Sequence, residues 1–311
     1  GLLQYGHQPG YYCMRRLLQL LLTRPILWLV SRFSSNPDEQ RVHAALTKLY
    51  KAILAGDQRK GMVLPLDVQQ SRYIILSDQH KGGKDGSDDF RNAEENYVQA
   101  LNFYHQQQYH LVVLGDSEEL WENLIWTVMR HNKISIAAEK QFVAAGRFTK
   151  IFGNHDLFWH NDPFAFWYLK SMYSQSIPVY EGVVLQTQLS GDATNLLLTH
   201  GHQGDGHSDG NPLSAWFVSR VWAPLQAFLR INPNTPAYSF AMKTEHNRMM
   251  YEWSEQVQNP VLVTGHTHQP VFASLTHLER LYKQLIKAES SNDEALINLL
   301  KKEIRFRQKE Y

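Results

Sequence analysis

The chain has 311 residues, 43% hydrophobic and 20% charged, with one cysteine. That composition suits one large folded domain with appendages, or two small ones, and excludes a disordered or disulfide-stapled chain. Lys and Arg total 31 against 30 for Asp and Glu, so a net charge of +1 supplies no general pull toward nucleic acid, and none is expected as a partner.

Charge is unevenly spread. Residues 1–60 hold nine basic side chains against three acids, Asp38, Glu39 and Asp57. Within this basic end, Leu17 to Ser31 reads LLQLLLTRPILWLVS. Arg24 and Pro25 interrupt it, it is shorter than the roughly 20 residues of a spanning helix, and no small-residue cleavage site follows. It is read as an amphipathic segment that packs on the body of the protein or, over residues 11–35, also touches a membrane surface. The chain begins at Gly1, so its start is expected to be trimmed. With Cys13 unpaired, the expected setting is cytoplasmic, with a peripheral membrane location as the variant. Ser35 to Glu39 looks like a helix start, and Val42, Leu46, Leu49, Ile53 and Leu54 keep a helical period behind it. Residues 1–65 are therefore assigned as a basic, apolar helical segment.

From Gly61 onward, short apolar runs alternate with helical stretches, the pattern of strand–crossover–strand units and an α/β fold. Five runs stand out: Tyr73 to Leu76, Leu111 to Leu114, Phe148 to Phe152, Leu196 to Thr199 and Val261 to Thr264. Each is followed within about two residues by Asp, Asn or His. Residues beyond the carboxyl ends of buried strands converge on one crevice, so five strand ends would bring potential metal ligands together. Residues 89–108 and 125–144 read as helices, as do 213–230 and 238–256, the latter pair forming an insertion at about 212–256. The main domain is placed at 66–274. The tail, 275–311, carries two apolar helical stripes separated by Ser290 to Asp293, a helical hairpin.

The ordered strand-end set is Asp78-Gln79-His80, Gly115-Asp116, Gly153-Asn154-His155-Asp156, His200-Gly201-His202 and Gly265-His266-Thr267-His268. Carboxylate, amide and imidazole ligands suit borderline divalent ions, and the set supplies enough for two. It resembles the calcineurin-like metallophosphoesterase superfamily over about residues 70–275. The resemblance implies a two-sheet α/β sandwich with helices on the outer faces. It assigns Asp78, His80 and His268 to one metal, and Asn154, His200 and His266 to the second. Asp116 would bridge them. His155 would be the catalytic histidine, with Asp156 beside it orienting the imidazole. The reaction implied is hydrolysis of a phosphoester or pyrophosphate by a hydroxide shared between two divalent ions, Mn foremost, with Fe, Zn or Mg also compatible.

Around this set, His202 is a candidate substrate contact. Lys81 and Lys84, in a glycine-rich stretch after the first motif, either grip substrate phosphate or belong to a solvent loop. Glu118 and Glu119 either orient ligands or only start a helix. Gly115 to Trp121 and the apolar insertion also resemble the UDP-2,3-diacylglucosamine diphosphatase branch, which would imply a lipid-linked pyrophosphate at a membrane. That branch usually carries arginine where His155 stands, and a phosphorylated small molecule is equally open as substrate. A non-catalytic scaffold is the alternative of another class, but such proteins typically lose ligands and every position here is filled. In the superfamily the last motif leads into further strands, whereas here helical sequence follows, so the end is also expected to be shortened or altered.

Overall fold

A computed structural model of the protein describes residues 25, 38–85, 88–189, 192–204, 240–257, 260–268, 277–291 and 293–308. The amphipathic segment at 11–35, save residue 25, and the inserted helix expected at 213–230 lie outside them.

The apolar runs become two four-stranded sheets. In one, β2 (Tyr73–Leu76), β3 (His110–Leu114), β4 (Phe148–Ile151) and β5 (Val179–Tyr180) run parallel in chain order. In the other, β1 (Gly61–Pro65) pairs parallel with β6 (Gly182–Leu189), β6 forms an antiparallel pair with β7 (Asp192–Thr199), and β7 pairs parallel with β8 (Pro260–Val263). The five expected runs are all strands. β1, β5 and β6 are additional, and β1 corrects the boundary at residue 65, because Gly61–Pro65 is an integral strand rather than helical preface.

Side-chain alternation builds the layers. On β3, Val112 and Leu114 join Ile151, Val183, Leu185 and Leu198 in a core shared by the two sheets, while Leu111 and Val113 face outward onto helices. Both faces are thus buried, which is why the strand reads as an unbroken apolar run. Each such fully buried side chain contributes about 1.5–3 kcal/mol. Helix α2 (Phe90–Gln106) and helix α4 (Lys133–Ala144) cover the outer face of the parallel sheet through Phe90, Tyr97, Leu101, Ala138 and Phe142. The other sheet is covered by helix α1 (Glu39–Leu54) and helix α7 (Phe240–Gln256), whose Trp253 and Met249 pack with Leu46, Val184 and Leu197. The result is an α/β sandwich with helices on both outer faces. Helix α1 begins as the sequence predicts, with the Asp38 carboxylate accepting from the Arg41 N–H at 2.9 Å.

The helix expected over 125–144 is two helices, α3 (Ile125–His131) and α4. Asn132 divides them, its buried amide donating to the Gly82 carbonyl at 2.7 Å and to Val128 at 2.9 Å, which diverts the backbone from a continuous helical path. Helices α5 (Phe158–Asn161) and α6 (Ala165–Tyr173) complete this side.

The chain divides into two compact units, 1–267 and 268–311. Within the second, α8 (His277–Ser290) and α9 (Glu294–Arg307) pack through Leu281, Leu285, Ala288, Leu300 and Ile304, the helical pair the stripes predict. Among the described residues no helix is long and apolar enough to cross a membrane.

Candidate metal centre

The site lies beyond the carboxyl ends of β2, β3, β4, β7 and β8, and its backbone is bent to make it. Asp78, His80, Asp116, His266 and His268 all adopt positive φ, between 48° and 71°. Left-handed backbone costs a non-glycine residue about 1–3 kcal/mol and persists where the surroundings enforce it. Two glycines make the close approaches possible. Gly115 has φ 82°, and a Cβ there would lie 2.5 Å from His200 Nδ1. At Gly153 a Cβ would fall 2.2 Å from Asp116 Oδ1. The glycines of the Gly-Asp and Gly-Asn-His-Asp motifs are thus steric requirements of the ligands themselves.

Asp116 is the centre. Its Oδ1 accepts from the His155 N–H at 2.8 Å, while its Oδ2 faces His200 Nε2 at 3.1 Å and His80 Nε2 at 3.7 Å. Both histidines have the far ring nitrogen tied down. His200 Nδ1 donates to the Leu114 carbonyl at 2.9 Å, and His80 Nδ1 donates to Glu119 at 2.8 Å. Each Nε2 therefore points inward, that of His200 also toward Asn154 Oδ1 at 3.2 Å. Asp78 lies next to His80, with Oδ1 4.0 Å from Nε2, and accepts from the His266 N–H at 3.1 Å.

This arrangement fits divalent cations. Ligand atoms of Asp116, His200 and His266 lie within 4.8 Å of one another, and so do those of His80, Asp116 and His155. Among the described residues His266 Nε2 is buried with no hydrogen-bond partner. Burial, reinforced by His200 and His246, holds His266 well below the usual histidine range, so it presents a neutral, ligating imidazole. Burial alone would lower His200 and His80, yet the carboxylates facing them raise both to about 9, Asp116 leading at His200 and the Glu119 hydrogen bond at His80. A cation at each Nε2 is what the surrounding oxygens call for. Burial opposes ionisation of Asp116, but His200, His155 and His80 hold its carboxyl well below the carboxylate range.

Of the expected site residues, Asp78, His80, Asp116, Asn154, His155, His200 and His266 are brought together. His268, two positions past His266, is exposed and opens the second compact unit. Asp156 is a correction. Its carboxylate accepts from the backbone N–H groups of Gly153, at 2.5 Å, and Ser117, at 2.9 Å, and does not touch the His155 ring. It is a latch on the turn, its carboxyl pushed up to about 6 by burial and by Glu118 and Asp116 against the pull of Lys150. The imidazole is held instead by Glu119, whose Oε1 lies 2.9 Å from His155 Nδ1. Burial opposes ionisation of Glu119, but its two histidines hold it down to about 2, so it stays charged. Trp121 stacks on the His155 ring at 4.1 Å between centroids.

The candidate substrate contacts are also revised. Lys81 is fully buried and paired with Glu139 and with Glu118 at 3.3 Å, because an isolated bridge to Glu118 continues the sheet pairing past the strand ends and turns the side chain inward. Lys84 pairs with Glu94. His202 is buried between His200 and Phe152, and burial with the His200 charge lowers it to about 3. His246, on α7, is a participant the motifs did not single out. It bonds the Gly201 carbonyl at 2.6 Å and packs edge-on against His266.

A family model described as calcineurin-like phosphoesterase matches residues 71–270, nearly all of the region carrying both sheets and the site. The chain belongs to the calcineurin-like phosphoesterase family. Membership implies a metal-dependent phosphoesterase in class, and the histidine and aspartate clusters could hold its ions. No curated protein and no solved structure matches this phosphoesterase.

Proposed function

We propose that this protein hydrolyses a phosphoester or pyrophosphate bond at a pair of divalent ions, with Asp78, His80 and Asp116 at one ion and Asp116, Asn154, His200 and His266 at the other. The observation that carries the proposal is the Asp116 carboxylate set between two inward-facing Nε2 atoms whose far nitrogens are both occupied. The ions would supply Lewis acidity at phosphorus and a water acidic enough to attack near neutral pH. The chain's own groups do the rest. Glu119 holds Nδ1–H of His155, leaving Nε2 to carry a proton to the leaving-group oxygen or to hydrogen-bond the phosphoryl group as charge builds. Trp121 packs on one ring face and fixes the imidazole plane. Asn154, a neutral ligand where a third carboxylate would add negative charge, keeps the centre attractive to a phosphate anion.

Phosphate monoester, diester, nucleoside diphosphate-sugar and lipid-linked pyrophosphate substrates, offered to the Mn-loaded chain, provide the test. Turnover of at least one, falling about 100-fold or more in His155→Ala for poor leaving groups and less for activated ones, is expected. Two bound ions with no turnover of any substrate would leave the scaffold reading in its place.

A further inference from the structure

Beside the metal centre the protein exposes an aromatic surface that hydrolysis itself does not require. Leu124 is 74% exposed, Trp126 61% and Trp167 59%, with Phe164 and Phe166 close to half exposed. These are not scattered. Phe166 packs on Trp167 at 5.1 Å, Trp167 stacks on Phe164 at 5.2 Å, and Tyr168, one turn past Phe164, meets Trp126 edge-on at 4.8 Å. The rings of α3 and α6 thus form one continuous face. The cluster beneath it contains Leu120, adjacent to the Trp121 that stacks on His155, so the face flanks the metal centre. Contiguous exposed apolar patches of this kind on a folded protein mark an interaction site.

Its charge identifies the partner. Arg130 lies four residues from Trp126 on α3, and Lys170 three from Trp167 on α6, so each exposed tryptophan shares a helix side with a cation. Arg130, Lys170 and neighbouring Lys133 are exposed and make no ion pair among the described residues. The acids of the same stretch are less exposed than these cations. Glu139 and Asp156 are buried, Glu122 is half-buried, and Asp162 accepts from the Phe164 N–H at 2.8 Å. Tryptophan and phenylalanine flanked by unpaired lysine and arginine match the boundary between acyl chains and anionic headgroups, where indole rings sit at the headgroup level and cations meet lipid phosphate.

We infer that the α3–α6 aromatic face docks on an anionic lipid surface, holding the mouth of the metal centre against the bilayer. The inference concerns this surface and holds whichever phosphorus bond the centre cleaves. It is separate from any contact made by residues 11–35.

The test is co-sedimentation of the full chain with phosphatidylcholine vesicles, with and without phosphatidylglycerol. Binding to the phosphatidylglycerol vesicles, weakened by salt, is expected. The Trp126→Ser/Trp167→Ser variant should bind at least about tenfold more weakly, and Arg130→Gln/Lys170→Gln should lose the preference for phosphatidylglycerol. Hydrolysis of a soluble diester and the thermal midpoint should stay as in the unmodified chain, which shows the variants folded. Quenching of tryptophan emission by brominated lipid in the unmodified chain gives a second reading independent of any variant. Failure of the unmodified chain to bind, equal binding by the tryptophan variant, or loss of self-association rather than of vesicle binding in that variant would each overturn the inference, the last in favour of an interface between copies.

Discussion

Two polar clusters are buried within this fold a few residues apart, and they differ in whether they satisfy themselves. Behind the strand ends, Lys81, Lys150, Glu118 and Glu139 form an inaccessible network of two cations and two anions. Its carboxylates also accept from Trp159 Nε1 at 2.7 Å, Tyr97 at 2.8 Å and Tyr173 at 2.6 Å. In front of the strand ends the pattern is the opposite. Carboxylate and amide oxygens converge on inward-facing imidazole Nε2 atoms, His266 Nε2 has no partner among the described residues, and the backbone is held in left-handed turns. A cluster that closes its own hydrogen bonds is a strut. One that leaves a buried imidazole nitrogen unpaired and is held in strained backbone is shaped for a cation. Glu118 belongs to the first and Glu119 to the second, so adjacent residues separate support from chemistry.

The largest effect that can break this comparison is expected in the strut. Glu118→Ala leaves Lys150 buried without its paired carboxylate and Lys81 with Glu139 alone, and should lower unfolding free energy by about 3–5 kcal/mol, read by denaturant titration. Adding Lys150→Met should restore part of the loss, since an apolar replacement leaves no orphaned charge. Equal destabilisation by Glu118→Ala and Glu119→Ala would erase the distinction. Next, Glu119→Gln should cost about 10–100-fold in turnover or ion affinity with the fold retained, because it loosens both His80 and His155, and the pH–rate profile should shift with it. The smallest effect lies away from both clusters. His110, bonded to Thr149 Oγ1 at 2.8 Å, is lowered to about 4 by burial and by Arg147. The unfolded chain, with its histidine near 6.5, binds a proton in this range that the folded chain excludes. Its contribution is therefore present above about pH 6.5 and is lost as pH falls toward 4. Melting temperature followed over that window should drop less steeply in His110→Asn.

Much of the site was legible because each ligand follows an apolar strand, and strand ends on one sheet edge converge whatever their separation in sequence. The parts that were not legible depend on side-chain direction. Asp156 adjoins His155 in the chain, yet the turn aims its carboxylate at Gly153 and Ser117. Glu119 reaches the imidazole because pairing continues past β2 and β3, with the His80 N–H bonded to the Asp116 carbonyl at 2.9 Å and Glu119 N–H to that of Lys81 at 3.0 Å. That pairing is also what buries Lys81, for which the glycine-rich neighbourhood suggests a phosphate grip or a solvent loop. β5 has two residues, too few for an apolar run, and β6 carries only a three-residue apolar run, Val183-Val184-Leu185, before the polar Gln186-Thr187-Gln188.

The most direct test of the central claim is the metal content of the purified chain after Mn loading, measured by mass spectrometry together with diester hydrolysis, for the unmodified protein and Asp116→Asn. Two ions per chain in the former, loss of both ions and of turnover in the latter, and recovery of activity when metal is returned after chelation are predicted. Hydrolysis that survives complete chelation, or an Asp116→Asn chain that keeps two ions and full turnover, would contradict the account.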